Sequence, residues 1–329
     1  MDEALALARG ARGATSPNPW VGAVLVTAAG GVFAGATEPP GGRHAEIVAL
    51  DRAGVAASTT RGAALFVTLE PCCHQGRTPP CTRAIIDAGV RRVIVALEDP
   101  DARVGGRGID ELRAAGVEVE VGLGAAEAAD LLAPYVIHRT TGRPLVTLKL
   151  AATLDGRIAA ADGTSRWITG DAARTDAHRL RADHDAVLVG AGTVRADDPQ
   201  LTVRRVAGRD PLRVVLGQVP AAARVHPALE LSGPLDGVLS DLGARGVLSV
   251  LVEGGARVAH DFHRAALVDR YVLYLAPALM GGSDGTPVMA GPGAQTITDL
   301  RRERLIGVRQ LGDDVRIDLA RSDVPAVVG

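Results

Sequence analysis

Aromatic residues are scarce in this chain: Phe, Trp and Tyr make up 2% of its 329 residues. A core must then be assembled from Ala, Val, Leu and Ile. Nucleic-acid binding by stacking bases on aromatic side chains is not expected. Charge of one sign is lacking too. The formal net charge is −2, which points to neither a polyanion nor an anionic membrane as partner. No apolar run reaches the roughly 18–20 residues of a membrane span. The start, MDEALALARG, is acidic where a secretory signal is basic. Cysteines number three, too few and too bunched for a disulfide framework, so a reducing cytoplasm is the expected compartment. No repeat of fixed period is present. GAGTVR (190–195) opens like a dinucleotide-binding glycine loop and then departs from it, which weakens a Rossmann reading.

What is present is a soluble globular composition, 47% hydrophobic and 22% charged, in a length that suggests two domains. The first half alternates strands and helices. Strands are expected at 21–27, 63–69, 91–98 and 117–123, and helices at 45–54, 80–89 and 109–116, followed by a helical stretch near 125–138. RTTGRP (139–144) has the composition of a linker. A second α/β pattern follows, with 145–156 opening it and a helix at 172–184. Strands are expected at 185–194, 212–216, 246–255, 270–277 and 315–320.

All three cysteines lie in EPCCHQGRTPPC (70–81), shortly after the His-Ala-Glu of 44–46. A catalytic zinc takes three protein ligands and keeps one position for water. His44 stands at the start of a helix. Cys72 follows a strand and a proline. Cys81 follows TPP, where Thr78 can cap a helix and Pro79 or Pro80 can occupy its first turn. A thiol at a helix N-terminus is favoured as thiolate, the metal-binding form. Glu46, two residues from His44, is placed to move a proton from the attacking water to a leaving amine. The order H-x-E, P-C, C is the signature of zinc deaminases acting on amino-substituted pyrimidine-type rings. The second spacing is longer than the usual C-x-x-C, and Cys73 is too close to Cys72 to share its metal.

The chain resembles the bifunctional riboflavin-biosynthesis deaminase/reductase family over nearly its whole length. SPNPWVGAV (16–24), GGRHAE (41–46), LEPCCHQGRTPPCTRAII (69–86) and GRGIDELRAAGVEV (107–119) look like its deaminase half. LKLAATLDGRIA (148–159), SRWITG (165–170), the stretch 178–204 and LVEGGARV (251–258) look like its reductase half. The resemblance implies an α/β fold with a cytidine-deaminase-like three-layer domain at 1–140 and a dihydrofolate-reductase-like domain at 145–329. It implies zinc-dependent deamination of 2,5-diamino-6-(5-phosphoribosylamino)pyrimidin-4(3H)-one, then NADPH-dependent reduction of the ribosyl chain to ribityl. A small-molecule substrate and a homo-oligomer are the partners it implies.

Carried onto this sequence, the resemblance gives His44, Cys72 and Cys81 as zinc ligands and Glu46 as proton shuttle. Asn18 and His74 match positions near the deaminase substrate, and Arg77 stands where the family has Lys or Arg, suited to the ribose phosphate. Ala151, Trp167, Thr193, Asp197, Gly255, Ala256, Arg257, Val258, Ala259, His260 and Asp261 match NADPH positions. Ser165, Arg181, Leu201, Arg204 and Glu253 match reductase-substrate positions, with Arg181 and Arg204 suited to a phosphate. Two departures stand out. The family's Asp-Pro-Asn reads Asp99-Pro100-Asp101, and a carboxylate beside a phosphate is unfavourable, so Asp101 is not assigned to the site. The segment 217–225 is shorter than the family's loop.

Read from the residues alone, the strand end Glu253-Gly254-Gly255 allows close backbone approach and a helix N-terminus for a pyrophosphate. It is equally compatible with a plain tight turn in which Glu253 caps the next helix. Two other functions compete with the deaminase/reductase reading. One is a cytidine- or guanine-type deaminase fused to an unrelated domain, against which the Lys149, Asp155-Gly156, Trp167 and Glu253-Gly254-Gly255 set argues. The other is a zinc-stabilised regulatory protein, which would require four protein ligands instead of three and an acid.

Overall fold

The alternation of short apolar strands with helices is what the chain builds. The computed structural model describes residues 1–54, 57–76, 79–322 and 324. The chain divides into two units, Met1–Gly142 and Arg143–Gly329.

The first unit contains, in order, α1 (Asp2–Ala11), β1 (Gly22–Val26), β2 (Val32–Ala36), α2 (Ala45–Ala53), α3 (Ala57–Thr60) and β3 (Ala64–Val67). It continues with α4 (Cys81–Asp87), β4 (Arg92–Val95), α5 (Arg107–Ala114), β5 (Glu118–Val121), α6 (Ala125–Leu131) and α7 (Ala133–Thr141). The strands form one sheet in the order β2-β1-β3-β4-β5. β1 is antiparallel to β2 and β3, whereas β3, β4 and β5 are parallel. Leu25, Leu65, Val93 and Ile94 are buried with almost no exposure, as expected of central strands covered on both faces. Helix α2 packs on β1 and β2 through Ala45, Val48 and Ala49, so its first turn lies beside the ends of the central strands.

The segment expected to be a linker is partly helix. α7 runs to Thr141 before Gly142 closes it with φ 77°. The hydroxyls of Thr140 and Thr141 donate to the carbonyls of Val136 and Ile137 at 2.8 and 2.6 Å. Threonines that bond back along their own helix read as loop in a sequence.

The second unit begins with β6 (Leu145–Thr153), β7 (Arg157–Ala159), α8 (Asp171–Ala182), β8 (Ala186–Gly190), α9 (Ala191–Asp197), β9 (Leu212–Leu216) and β10 (Leu229–Leu231). Then come α10 (Leu235–Ala244), β11 (Ser249–Val252), α11 (Ala256–Arg264), β12 (Arg270–Ala276), β13 (Thr286–Pro287), β14 (Arg304–Leu311) and β15 (Asp314–Ala320). Eight strands make a sheet in the order β10-β9-β8-β11-β6-β12-β15-β14. It is parallel from β10 to β12 and ends in two antiparallel strands. Val146, Leu148, Leu188, Val250 and Val252 are its apolar centre, closed on one side by Leu239, Leu242 and Phe262. The start of β6 is pinned by Asp269, which is wholly buried. Its carboxylate accepts from Arg143 at 2.6 and 2.8 Å and from the Val146 N–H at 2.9 Å.

Two expected strands are shorter than their apolar runs. The strand expected over 185–194 stops at Gly190, and α9 starts at Ala191. Ala191 and Val194 are both buried, at the three-residue spacing that suits a helix face as well as an apolar run. The strand expected over 246–255 is reduced to β11.

Candidate active sites

In the first unit, three chain segments meet at one end of the sheet. His44 is the N-cap of α2, with extended backbone at φ −72° and ψ 159°. Cys72 lies in the loop leaving β3, and Cys81 is the first residue of α4, preceded by Pro80 at the N-cap. Thr78, expected to cap this helix, and Arg77, expected near the substrate, lie outside the described residues. His44 Nδ1 is 3.2 Å from Cys81 Sγ and 3.5 Å from Cys72 Sγ. The ligand atoms of all three residues lie within 4.8 Å of one another. The edge of a tetrahedron with zinc–sulfur and zinc–nitrogen bonds of ordinary length is about 3.5 Å, so the group has the dimensions of a zinc site with one face open.

The chemistry of the donors agrees. A hydrogen bond from the Cys81 thiol draws Cys72 down to about 4, and the same bond, with burial, pushes Cys81 well above the usual thiol range. Two sulfurs this close share one proton, and a divalent cation lets both ionise. Cys73 does not join them. Its Sγ lies 3.9 Å from the Arg103 carbonyl oxygen, and burial raises its thiol.

Glu46 is in the first turn of α2, 4% exposed. Burial, and then the Cys72 thiolate, push its carboxyl up to about 7. It lines a cavity of about 300 Å³ together with His44, Cys72, Asn18 and His74. His74 Nδ1 is buried and has no hydrogen-bond partner among the described residues, a polar atom left for a ligand.

The loops around this cavity are fixed by Glu70, which sequence reasoning missed. Its carboxylate accepts four backbone N–H groups, from Asp99 (3.1 Å), Gly106 (3.0 Å), Gly108 (2.8 Å) and Ile109 (3.1 Å). A Cβ on Gly108 would stand 2.2 Å from the Pro71 carbonyl oxygen, so only glycine lets α5 come this close. An acid directly before the Pro-Cys pair was the available signal.

Asp101 is not assigned to the site by sequence, on the expectation of a lone carboxylate beside a phosphate. It lines the same cavity, and its charge is not an isolated one. Arg103 donates to both its oxygens, at 3.0 Å from Nε and 2.7 Å from Nη2. That pairing holds Asp101 down at about 2. Nearby Asp99 accepts from the Tyr135 hydroxyl at 3.1 Å, and burial raises it to about 6.

In the second unit, residues expected near substrate and cofactor collect at the ends of β6, β8 and β11. Glu253 follows β11 and accepts from Arg181 Nε at 2.6 Å and Nη2 at 3.0 Å. Lys149 Nζ, on β6, is 3.9 Å from the same carboxylate. Desolvation opposes charge on Glu253, but Arg181 and Lys149 together outweigh it and hold the carboxyl at about 2. Burial lowers Lys149. Glu253 therefore does not cap the following helix, whose N-cap is Gly255. Arg181 turns its remaining Nη1 to the Thr202 carbonyl at 3.2 Å, so its fork is spent within the protein. Arg204 makes a 3.1 Å bond to the Thr202 hydroxyl and has no carboxylate partner among the described residues. Lys149 is a residue to which sequence reasoning gave no role.

The Gly254-Gly255 turn is built for close approach. A Cβ on Gly254 would lie 2.6 Å from Val258 Cβ. The Gly255 N–H donates to Thr193 Oγ1, on α9, at 3.2 Å, which joins two of the expected cofactor segments. Trp167 is 70% exposed, with the Arg174 guanidinium 4.6 Å from its ring centre, and Arg166 donates to the Asp197 carbonyl at 2.9 Å. Ala256 and Arg257 open α11. Ala151, on β6, packs against a core cluster, and Ser165 is half-buried. Ala259 and Leu201 are in the core, and His260 is tied to the Pro292 carbonyl at 3.0 Å, with Asp261 next to it at 3.3 Å. Their side chains are turned away from solvent or engaged, so the open surface here is the glycine turn and the first turn of α11.

Residues 144–317 match the family model described as the RibD C-terminal domain. Residues 1–97 match the cytidine and deoxycytidylate deaminase zinc-binding region. The chain is 44% identical over 339 residues to the riboflavin biosynthesis protein RibD of Mycobacterium tuberculosis, with 97% of each covered. It superposes on a structure of Acinetobacter baumannii RibD with a TM-score of 0.91, 36% identity and 98% of both chains covered. The diaminohydroxyphosphoribosylaminopyrimidine deaminase/5-amino-6-(5-phosphoribosylamino)uracil reductase of Thermotoga maritima gives a TM-score of 0.89 at 33% identity, covering 98% of this chain and 97% of that one. The first unit is thus cytidine-deaminase-like, the second is of the dihydrofolate-reductase-like class, and the chain belongs to the RibD family of riboflavin-biosynthesis proteins.

Proposed function

We propose that the two units carry out consecutive steps of riboflavin biosynthesis. The first removes an amino group from 2,5-diamino-6-(5-phosphoribosylamino)pyrimidin-4(3H)-one. The second reduces the ribosyl chain of the product with NADPH, giving 5-amino-6-(5-phosphoribitylamino)uracil. The observation that carries the reading is the set His44, Cys72 and Cys81 beside a buried Glu46 in one cavity, in a chain whose other unit matches the RibD C-terminal domain.

His44 Nδ1 and the sulfurs of Cys72 and Cys81 would hold the zinc. The metal supplies Lewis acidity that makes water nucleophilic near neutral pH. Glu46 takes a proton from the attacking water and gives it to the departing amine, which leaves as ammonia. Its burial suits both halves of that transfer, because a carboxyl raised toward neutrality is neither too weak a base nor too weak an acid. Asn18 and His74 orient the ring from the cavity wall.

In the second unit the Gly254-Gly255 turn and the start of α11 would hold NADPH, which would supply a hydride. Reduction also needs a proton, and Lys149, buried and lowered beside Glu253, is placed to give one. Glu253, kept anionic by Arg181, accepts hydrogen bonds from the substrate. Arg204, without a carboxylate hydrogen-bond partner among the described residues, serves the phosphate.

The zinc-and-NADPH division assigns catalysis to residues 1–140 and 145–329 separately. No helix among the described residues is long and apolar enough to cross a membrane, and the cysteines are free thiols, in keeping with a cytoplasmic enzyme. β14 ends the larger sheet, with Leu305 and Val308 more than half exposed, in keeping with a homo-oligomer. Glu46→Gln tests the chemistry. It should retain zinc and slow ammonia release by about two orders of magnitude or more. Ammonia release at the unsubstituted rate would remove Glu46 from the mechanism.

A further inference from the structure

The cavity of the first unit contains one more charged group that the deamination step does not use. Arg103 and Arg139 line it together with Asp101. They come from different elements, Arg103 from the loop before α5 and Arg139 from the last turn of α7.

Asp101 gathers them. It is bonded to Arg103 through Nε and Nη2 and stands 3.6 Å from Arg139 Nε. That last distance is longer than a hydrogen bond. Arg139 Nε is in fact buried with no hydrogen-bond partner among the described residues. The guanidinium is held in place instead by the Tyr135 ring, 5.0 Å from its centre, and Tyr135 is anchored in turn by Asp99. Arg103, whose side chain is 64% exposed, keeps Nη1 outside the pairing with Asp101.

A buried donor without an acceptor is costly unless a ligand supplies one. Two guanidiniums also share one carboxylate, Asp101, which leaves donors of both without an acceptor among the described residues. The other acids that line the cavity are Glu46, Glu70 and Asp99, and two of them are engaged elsewhere. Glu70 is satisfied by backbone N–H groups, and Asp99 is occupied by Tyr135 and the Asp101 N–H. An Asp–Arg clamp that merely shaped the loop would need Arg103 alone. It would not account for a second arginine from another helix with an unsatisfied donor in the same cavity.

We propose that Arg103 and Arg139, held together by Asp101, bind the phosphate of the deaminase substrate in addition to any contact from Arg77. The pair makes the first site specific for a phosphorylated pyrimidine over its free nucleoside-like counterpart. Asp101, which departs from the family's asparagine, then positions the two arginines and does not oppose the phosphate. This inference rests on the reading of the first unit as the deaminase.

The test compares the full zinc-loaded chain with Arg103→Gln and Arg139→Gln, using the phosphorylated diaminopyrimidine and its dephosphorylated form. Each substitution should raise KM for the phosphorylated substrate about tenfold or more, the loss expected of a charge-assisted hydrogen bond. kcat should change little, and KM for the dephosphorylated form should stay where it was. Melting temperature and NADPH oxidation with the deaminated intermediate control for folding. An unchanged KM in both variants, or an equal rise for both substrates, overturns the proposal. If the unsubstituted chain releases no ammonia from either substrate, the deaminase reading itself has failed. Calorimetry with ribose 5-phosphate then still decides the phosphate site. The unsubstituted chain should show one binding event that the Arg103→Gln/Arg139→Gln double variant lacks, and identical isotherms would contradict the assignment.

Discussion

Three sulfurs lie within ten residues of sequence, and their positions separate two roles. Cys72 and Cys81 face His44 Nδ1, while Cys73 points to the Arg103 carbonyl. Cys72→Ser should lose the zinc and Cys73→Ser should keep it, read by metal analysis of the purified variants; the reverse pattern would overturn the ligand assignment. Glu253 makes a second prediction at this scale. Its folded pKa, about 2, lies below that of a free glutamate, so its contribution to stability is present above about pH 4.5 and is lost as pH falls toward 2. Glu253→Gln should therefore be less stable than the unsubstituted chain at neutral pH, by on the order of 3 kcal/mol, because Arg181 and Lys149 are left without their counter-charge. Thermal melts from pH 7 down to pH 2 should show the gap closing below pH 4.5. A gap that does not depend on pH would mean that the pair has been misread. The variant should also reduce the intermediate poorly while releasing ammonia normally. The zinc ligands and Glu46 were legible in the sequence because metal chemistry restricts both residue type and order. Arg103 and Arg139 were not, since they lie 36 residues apart and meet only through the fold.

At the scale of elements, the turn between β11 and α11 carries the cofactor reading. A Cβ on Gly254 would collide with Val258, a branched side chain on the rigid first turn of α11. Gly254→Ala should thus shift the start of α11, costing about 1–3 kcal/mol of stability as an overpacked contact does. It should raise KM for NADPH and leave ammonia release unchanged, as steady-state assays of each half-reaction would show. A normal KM for NADPH in a folded variant would place the cofactor elsewhere. The sequence made this turn visible, because an apolar run that ends in two glycines before an amphipathic stretch admits few structures. It also showed most central strands and the helices α2, α4, α5, α8 and α11. Less visible were elements whose pattern serves two structures at once. α9 continues the apolar run of β8, and only Gly190 marks the change. β14 is an edge strand with half its residues exposed, so it lacks the buried alternation that identifies a strand. α7 passes through a Thr-Thr-Gly segment that reads as linker until the hydroxyls are seen to bond within the helix.

For the whole molecule, the account divides two reactions between two units, Met1–Gly142 and Arg143–Gly329, that share no assigned residue. Each has its own sheet and its own charged site, and the deaminated ring that leaves the first is the substrate of the second. The order of the reactions follows: without NADPH the chain should stop at the deaminated intermediate. The most direct measurement is therefore incubation of the purified, zinc-loaded chain with the diaminopyrimidine nucleotide, with and without NADPH, and identification of the products by mass. Without NADPH the account predicts one product, in which an amino group has been exchanged for oxygen, together with free ammonia. With NADPH that product should gain two hydrogens as the cofactor is oxidised. A reduced product that still carries the amino group, or no change in mass under either condition, would contradict it.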